Sequence, residues 1–150
     1  MIRISRHSMF MEIAGVVAKR STCLRLNVGA VIVSSTNRIV SIGYNGQLPG
    51  HPHCLAPCEA GMCNTIHAEK NALNYAPSGE EWLSLYVTDS PCDYCARTIA
   101  SDGRVKRVFF QTPYRIASGY NILLRHGIDV TRILPSGILI DMEDGRVISA

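Results

Sequence analysis

Leu83-Ser84-Leu85-Tyr86-Val87-Thr88, then Ser90-Pro91-Cys92-Asp93-Tyr94-Cys95, is a β-rich run broken by proline and followed at once by a helix-forming stretch. The run predicts a strand over 83–88. A short helix over 92–102 follows, closed by Gly103, a residue suited to a left-handed C-cap. Residues 105–110 then read as the next strand. Downstream, Ile116, Tyr120, Leu123 and Leu124 mark a helix ending at Gly127, and 128–133 predict a fifth strand. Upstream, a helix over 66–76 stops at Pro77. The β-branched runs 28–33 and 38–43, separated by Ser34-Ser-Thr-Asn37, form a hairpin, and Phe10, Ile13, Ala14 and Val17 give a helix over 5–19 one apolar stripe. Strands alternating with helices from residue 66 onward imply right-handed crossovers and parallel pairing, added to an antiparallel hairpin. The expected architecture is α/β, a three-layer α-β-α sandwich with a mixed five-stranded sheet. Residues 138–140 and 146–148, flanking Glu143-Asp-Gly145, carry a weak hairpin signal of uncertain placement.

The 150 residues fit one domain, 1–150, with a cysteine-rich insertion at about 47–64 and a C-terminal tail at about 136–150. A chain of that size buries roughly 70% of its unfolded surface without needing disulfides. With 47% hydrophobic and 18% charged residues it is of ordinary globular composition. A net charge of +3 and 7% aromatics argue against a polynucleotide partner, which wants a basic groove with stacking platforms. No stretch has the length or apolarity of a membrane span, and the N-terminus has no signal-like apolar region. The expected setting is the cytoplasm, where six cysteines with C-x-x-C spacing read as metal ligands rather than disulfides.

Two short motifs carry the chemistry. His67-Ala68-Glu69 and Pro91-Cys92-Asp-Tyr-Cys95 together make the H-x-E…P-C-x-x-C pattern of zinc nucleobase deaminases. His67 and Glu69 would not share a face in mid-helix, so the pair fits a helix start, where both side chains can reach one cleft. Cys92 and Cys95 also open a helix, whose N-terminus favours thiolates. His67, Cys92 and Cys95 as the ligands of a catalytic zinc leave one tetrahedral position for water, whereas a structural zinc is closed by four protein ligands. Zinc in such a site lowers the pKa of its bound water to about 7. Glu69, outside the ligand set, is the general acid/base. The competing reading closes the zinc with a further cysteine and makes Glu69 a solvated helix residue.

Cys23, Cys54, Cys58 and Cys63 remain, the number that a structural zinc requires, with His51 and His53 as candidate substitutes. A second zinc here would tie the long loop to the sheet. The alternative is four reduced thiols in a loop ordered by packing alone.

Arg20-Ser-Thr-Cys-Leu-Arg25, Val28-Gly-Ala-Val-Ile-Val33, Gly43-Tyr-Asn-Gly46 with Pro49, His53-Cys54, Ile66-His-Ala-Glu-Lys-Asn-Ala72, and Tyr86-Val-Thr88 to Pro91-Cys92-Asp-Tyr-Cys95-Ala96 resemble the deoxycytidylate (dCMP) deaminase family of the cytidine deaminase superfamily. The resemblance runs over about residues 8–133. It implies a cytidine deaminase-like fold, conversion of dCMP to dUMP, and a homohexamer activated by dCTP with Mg2+ and inhibited by dTTP, the effector region being Gly43, Tyr44 and Gly46. It further implies that Asn45 contacts the sugar or base, that Ala68 offers its backbone N–H to the pyrimidine, and that Tyr114 gates the base. Arg25 and Arg115 become candidates for the phosphate. Gln111-Thr-Pro-Tyr-Arg-Ile116 departs from the family pattern, as does the stretch from 136. Other substrates stay open: dCTP, a modified dCMP, a free nucleoside, or the pyrimidine intermediate of riboflavin synthesis. A non-catalytic, zinc-stapled binding module is the reading outside enzymology.

Overall fold

The computed structural model describes residues 2–59 and 62–148. Its elements in chain order are α1 (Arg6–Ala18), β1 (Gly29–Val33), β2 (Ile39–Tyr44), α2 (Ala68–Tyr75), β3 (Leu83–Asp89), α3 (Asp93–Asp102), β4 (Val105–Thr112), α4 (Ser118–Arg125), β5 (Asp129–Ile133), β6 (Leu139–Asp141) and β7 (Val147–Ile148). They build one mixed sheet in the order β2-β1-β3-β4-β5-β6-β7. The pairs β3/β4 and β4/β5 are parallel, and the rest antiparallel.

Strand periodicity explains the three layers. On β1, Ala30 and Ile32 face one side and Val31 and Val33 the other, and β1 is buried throughout. Ala30, Ile32, Leu85, Val87 and Phe110 pack against Ala68, Ala72, Ala96, Ile99 and Leu123 of α2, α3 and α4. On the opposite face Val31, Val33, Tyr86 and Phe109 meet Phe10, Met11, Ala14 and Val17 of α1. Gly29 lets α1 come this close: a Cβ there would lie 2.0 Å from the Ala14 carbonyl oxygen. Ser5 caps α1 by accepting from the Ser8 N–H. Gly103 takes the expected left-handed C-cap of α3, with φ 81°.

The sheet has seven strands, not five. The two extra strands come from the stretch expected as a tail. The turn from Leu134 closes through Gly137, whose N–H donates to the Leu134 carbonyl at 2.8 Å. It returns the chain beside β5, pairing Leu139 with Ile133. Leu139 is then buried under α1 with Ile133, so the apolar side of this segment is a reason to join the sheet. Residues 149 and 150 of the expected tail lie outside the described residues, as do 60 and 61 of the cysteine-rich insertion. That insertion leaves the fold between two clamped ends: Gly46 and Ile66 form an isolated antiparallel bridge. Among the described residues no helix is long and apolar enough to cross a membrane.

Candidate active site and metal centre

His67 is the N-cap residue of α2, and Cys92 is the N-cap of α3. The two helices start on the same face of the sheet, at the end where β3 stops. Their first residues therefore meet although 25 positions separate them. His67 Nδ1 lies 3.5 Å from Cys92 Sγ and 3.2 Å from Cys95 Sγ. Metal bonds of about 2.05 Å to nitrogen and 2.3 Å to sulfur put tetrahedral ligands about 3.5 Å apart, so the three side chains fit zinc. Among the described residues their ligand group contains no fourth His, Cys, Asp or Glu. The reading in which a further cysteine closes this site therefore has no support in the geometry.

Electrostatics suit the same use. The hydrogen bond with Cys95 is the main cause that holds the Cys92 thiol down to about 4; burial opposes it, and His67 assists. Its bond to Cys92 raises the His67 pKa, against burial. Glu69, in the first turn of α2, is only 5% exposed. Burial raises its carboxyl pKa, a shift toward the range in which a carboxyl both takes and returns a proton.

A cleft of about 670 Å³, open mouth included, reaches this cluster, and Arg25, Asn45, Ala68 and Tyr114 all line it. Ala68 is the first helical residue of α2, where backbone N–H groups lack intrahelical partners. Asn45 has a second task. Its Oδ1 accepts from Val28 N at 2.9 Å and its Nδ2 donates to Leu26 O at 2.7 Å, fixing the strap that carries Arg25 toward β1. Tyr114 is positioned by its own N–H, which donates to Ser90 Oγ at 2.6 Å. Arg115 is the one expected contact that does not line the cleft; its guanidinium lies 5.7 Å from the Tyr114 ring centroid. Gly43 packs under α2, where a Cβ would come 2.4 Å from the Ala68 carbonyl oxygen. Tyr44 borders a separate groove that Lys19, Arg20 and His53 also line. Gly46 forms the bridge to Ile66. Sequence reading missed Asp89 and Thr65, which line the main cleft; the strand alternation of 83–88 was the available signal for Asp89.

Of the remaining cysteines, Cys54, Cys58 and Cys63 form one ligand group, and Cys23 lies outside that group, beside Cys63. Cys63 Sγ lies 3.8 Å from Cys54 Sγ and 3.7 Å from Cys23 Sγ. Cys58 shares a ligand group with Cys54 and Cys63, which neither His51 nor His53 joins among the described residues. Burial raises the Cys63 pKa, but hydrogen bonds from Thr65 and neighbouring thiols outweigh it and bring it to about 7.

A buried carboxyl beside an incompletely filled His/Cys/Cys cluster, at the end of an α-β-α sheet, defines a hydrolase that activates water on a metal. The chain belongs to the family described as the cytidine and deoxycytidylate deaminase zinc-binding region, which it matches over residues 4–112. It is 32% identical over 157 residues to ComE operon protein 2 of Bacillus subtilis, covering 99% of this chain and 82% of that protein. It is 35% identical over 150 residues to deoxycytidylate deaminase of Schizosaccharomyces pombe, covering 89% of this chain but only 45% of that longer protein. Among solved structures it resembles dCMP deaminase from the cyanophage S-TIM5 in complex with dCMP and dUMP, with a TM-score of 0.77 and 32% identity over 88% of this chain and 99% of that one.

Proposed function

We propose that this protein is a zinc-dependent deaminase that hydrolyses dCMP to dUMP and ammonia. The observation that carries the reading is the cluster of His67 Nδ1, Cys92 Sγ and Cys95 Sγ, with buried Glu69 in the same cleft. His67, Cys92 and Cys95 hold the ion, and bound zinc supplies Lewis-acid activation of water at neutral pH. Glu69 takes a proton from the attacking water, delivers it to the ring nitrogen N3, and then helps protonate the departing amine. One C–N bond breaks, one C–O bond forms, and no redox partner is needed. The Ala68 N–H fixes the pyrimidine, Tyr114 covers it, and Arg25 receives the phosphate.

Further assignments belong to the same proposal. Cys23, Cys54, Cys58 and Cys63 hold a second, structural zinc, since sulfur separations of 3.7–3.8 Å fit the edge of a tetrahedral thiolate site and far exceed a disulfide bond of about 2.05 Å. The cationic groove beside Tyr44 is the candidate effector site for dCTP with Mg2+. The protein works in the cytoplasm as a homo-oligomer, a hexamer by family resemblance.

The test is ammonia release from zinc-loaded protein given dCMP, dCTP, deoxycytidine, CMP or a modified dCMP, each with and without dCTP and Mg2+ as effectors. Highest kcat/KM on dCMP is the expected result. No turnover of any substrate would overturn the deaminase reading, and preference for another member of the panel would replace dCMP.

A further inference from the structure

The cleft contains a second carboxyl, on Asp89. Asp89 ends β3 two residues past Val87, so strand alternation gives it the face of Leu85 and Val87, which pack with Ala68 and Ala72 of α2. His67, Glu69 and Cys92 converge on that same face. In the register of the sheet Asp89 stands beside Thr112 of β4, so it lines the cleft from the end of β3 rather than from the strap that carries Arg25. Among the described residues its side chain has one hydrogen-bond partner, the Thr88 hydroxyl, which donates to Oδ2 at 3.2 Å. No described cation forms an ion pair with it; the described ion pairs all belong to Asp102, Asp141 and Asp144. Burial raises its pKa, as desolvation of an unpaired carboxylate should.

A carboxylate offers about four lone-pair sites. The Thr88 hydroxyl fills one of them, and the half-buried side chain, lining the cleft, leaves others free for whatever occupies it. The fold makes no evident use of the charge: Asp89 closes no cap and pairs no helix. The phosphate of a nucleotide is repelled from such a group and directed toward Arg25. A neutral donor on the nucleotide is not repelled, and a hydroxyl is such a donor.

We infer that Asp89 is a specificity residue whose carboxylate accepts a hydrogen bond from a hydroxyl of the nucleotide substrate. This rests on the deaminase reading above. Two hydroxyls share the chemistry: the 3′-hydroxyl of the sugar and a hydroxymethyl group at C5 of the pyrimidine.

Three substrates separate them: dCMP, 2′,3′-dideoxy-CMP and 5-hydroxymethyl-dCMP, each assayed for kcat/KM with wild type, Asp89→Leu and Asp89→Asn. A hydrogen bond to a charged group corresponds to about a 10- to 100-fold effect. If Asp89 reads the sugar, Asp89→Leu loses that factor on dCMP and 5-hydroxymethyl-dCMP and nothing on the dideoxy substrate. If it reads the base, only 5-hydroxymethyl-dCMP suffers. Asp89→Asn keeps the shape and a neutral acceptor, so it retains part of the discrimination and guards against a Leu variant that fails to fold or bind zinc. An equal fall on all three substrates in both variants, or no change on any, overturns the inference. Wild-type protein inactive on all three sinks the reading of dCMP as the substrate, whereas active wild type with unchanged ratios sinks only the role of Asp89.

Discussion

Glu69 and His67 stand two residues apart, yet their surroundings assign them different work. His67 sits at the N-cap, outside the helical ladder, with its ring nitrogen toward two sulfurs; Glu69 lies within the first turn and is buried. Glu69→Gln keeps the size and removes the exchangeable carboxyl. It should lower kcat by about 10²–10⁴-fold while leaving the zinc content of the protein unchanged, read by ammonia release beside metal analysis. Zinc lost together with activity would make Glu69 a structural residue instead. A second residue bears on stability alone. His7 Nδ1 lies 2.8 Å from the Tyr86 hydroxyl, and its ring packs 4.7 Å from Phe109. Burial, then the positive charge of Arg107, lowers its pKa. The folded protein thus refuses a proton that the unfolded chain accepts below about pH 6.5. Stability contributed by neutral His7 is complete above that pH and declines as the pH falls from there toward the lower folded value. Thermal melts of zinc-loaded protein between pH 7.5 and 5.5 should show a smaller drop for His7→Phe than for wild type; equal drops would reject the assignment.

At the scale of elements, helix docking rather than helix formation places the site. Helix α4 meets the turn before α3 at Gly119, where a Cβ would lie 1.9 Å from the Pro91 carbonyl oxygen. The Ser118 hydroxyl bonds Asp93 Oδ1 at the same junction. Gly119→Ala must therefore push α4 away from the turn that presents Cys92. Overpacking of this kind costs about 1–3 kcal/mol, and zinc affinity should weaken with it, measured by melting and by competition with a chelator. Gly15→Ala is the matched control: nothing lies within 4 Å of its added Cβ, and mid-helix alanine gains about 0.5–1 kcal/mol over glycine. Similar losses for both variants would mean that contact at Gly119 is not the cause. Arg104 does comparable work at the other end of α2, donating to the Leu73, Ala76 and Pro77 carbonyls while paired with Asp102 at 2.8 Å.

For the whole molecule, the two cysteine-containing clusters meet at the cleft, since Cys23 and Cys63 line it along with His67 and Cys92. The cysteine loop is then a support for the active site rather than an appendage. Protein purified reduced and free of chelator should carry close to two zinc ions per chain, and Cys58→Ser close to one, with the variant keeping measurable deaminase activity. One ion in the wild type would leave Cys54, Cys58 and Cys63 as ordinary thiols held by packing.

Much of this was legible in the sequence. Strands β1 to β5 and helices α1 to α4 follow from apolar periods and from punctuation by Pro77, Gly103 and Gly127, because backbone conformation answers to neighbours within a few residues. The candidate cluster of His67, Cys92 and Cys95 was legible as two motifs too, since residue type and short spacings such as Cys92 to Cys95 are local properties. The expected strand number fell short because the weak hairpin signal at 138–140 and 146–148, which became β6 and β7, carried no sign of where it docks; its place beside Ile133 comes from a neighbour on β5. Tertiary structure alone decided the rest. The meeting of His67 with Cys92 and of Cys23 with Cys63, the reach of Asp89 into the cleft, and the position of Arg115 outside it depend on which sheet face and which strand end each residue occupies. Those are set by packing among segments far apart in the chain, which no local pattern records.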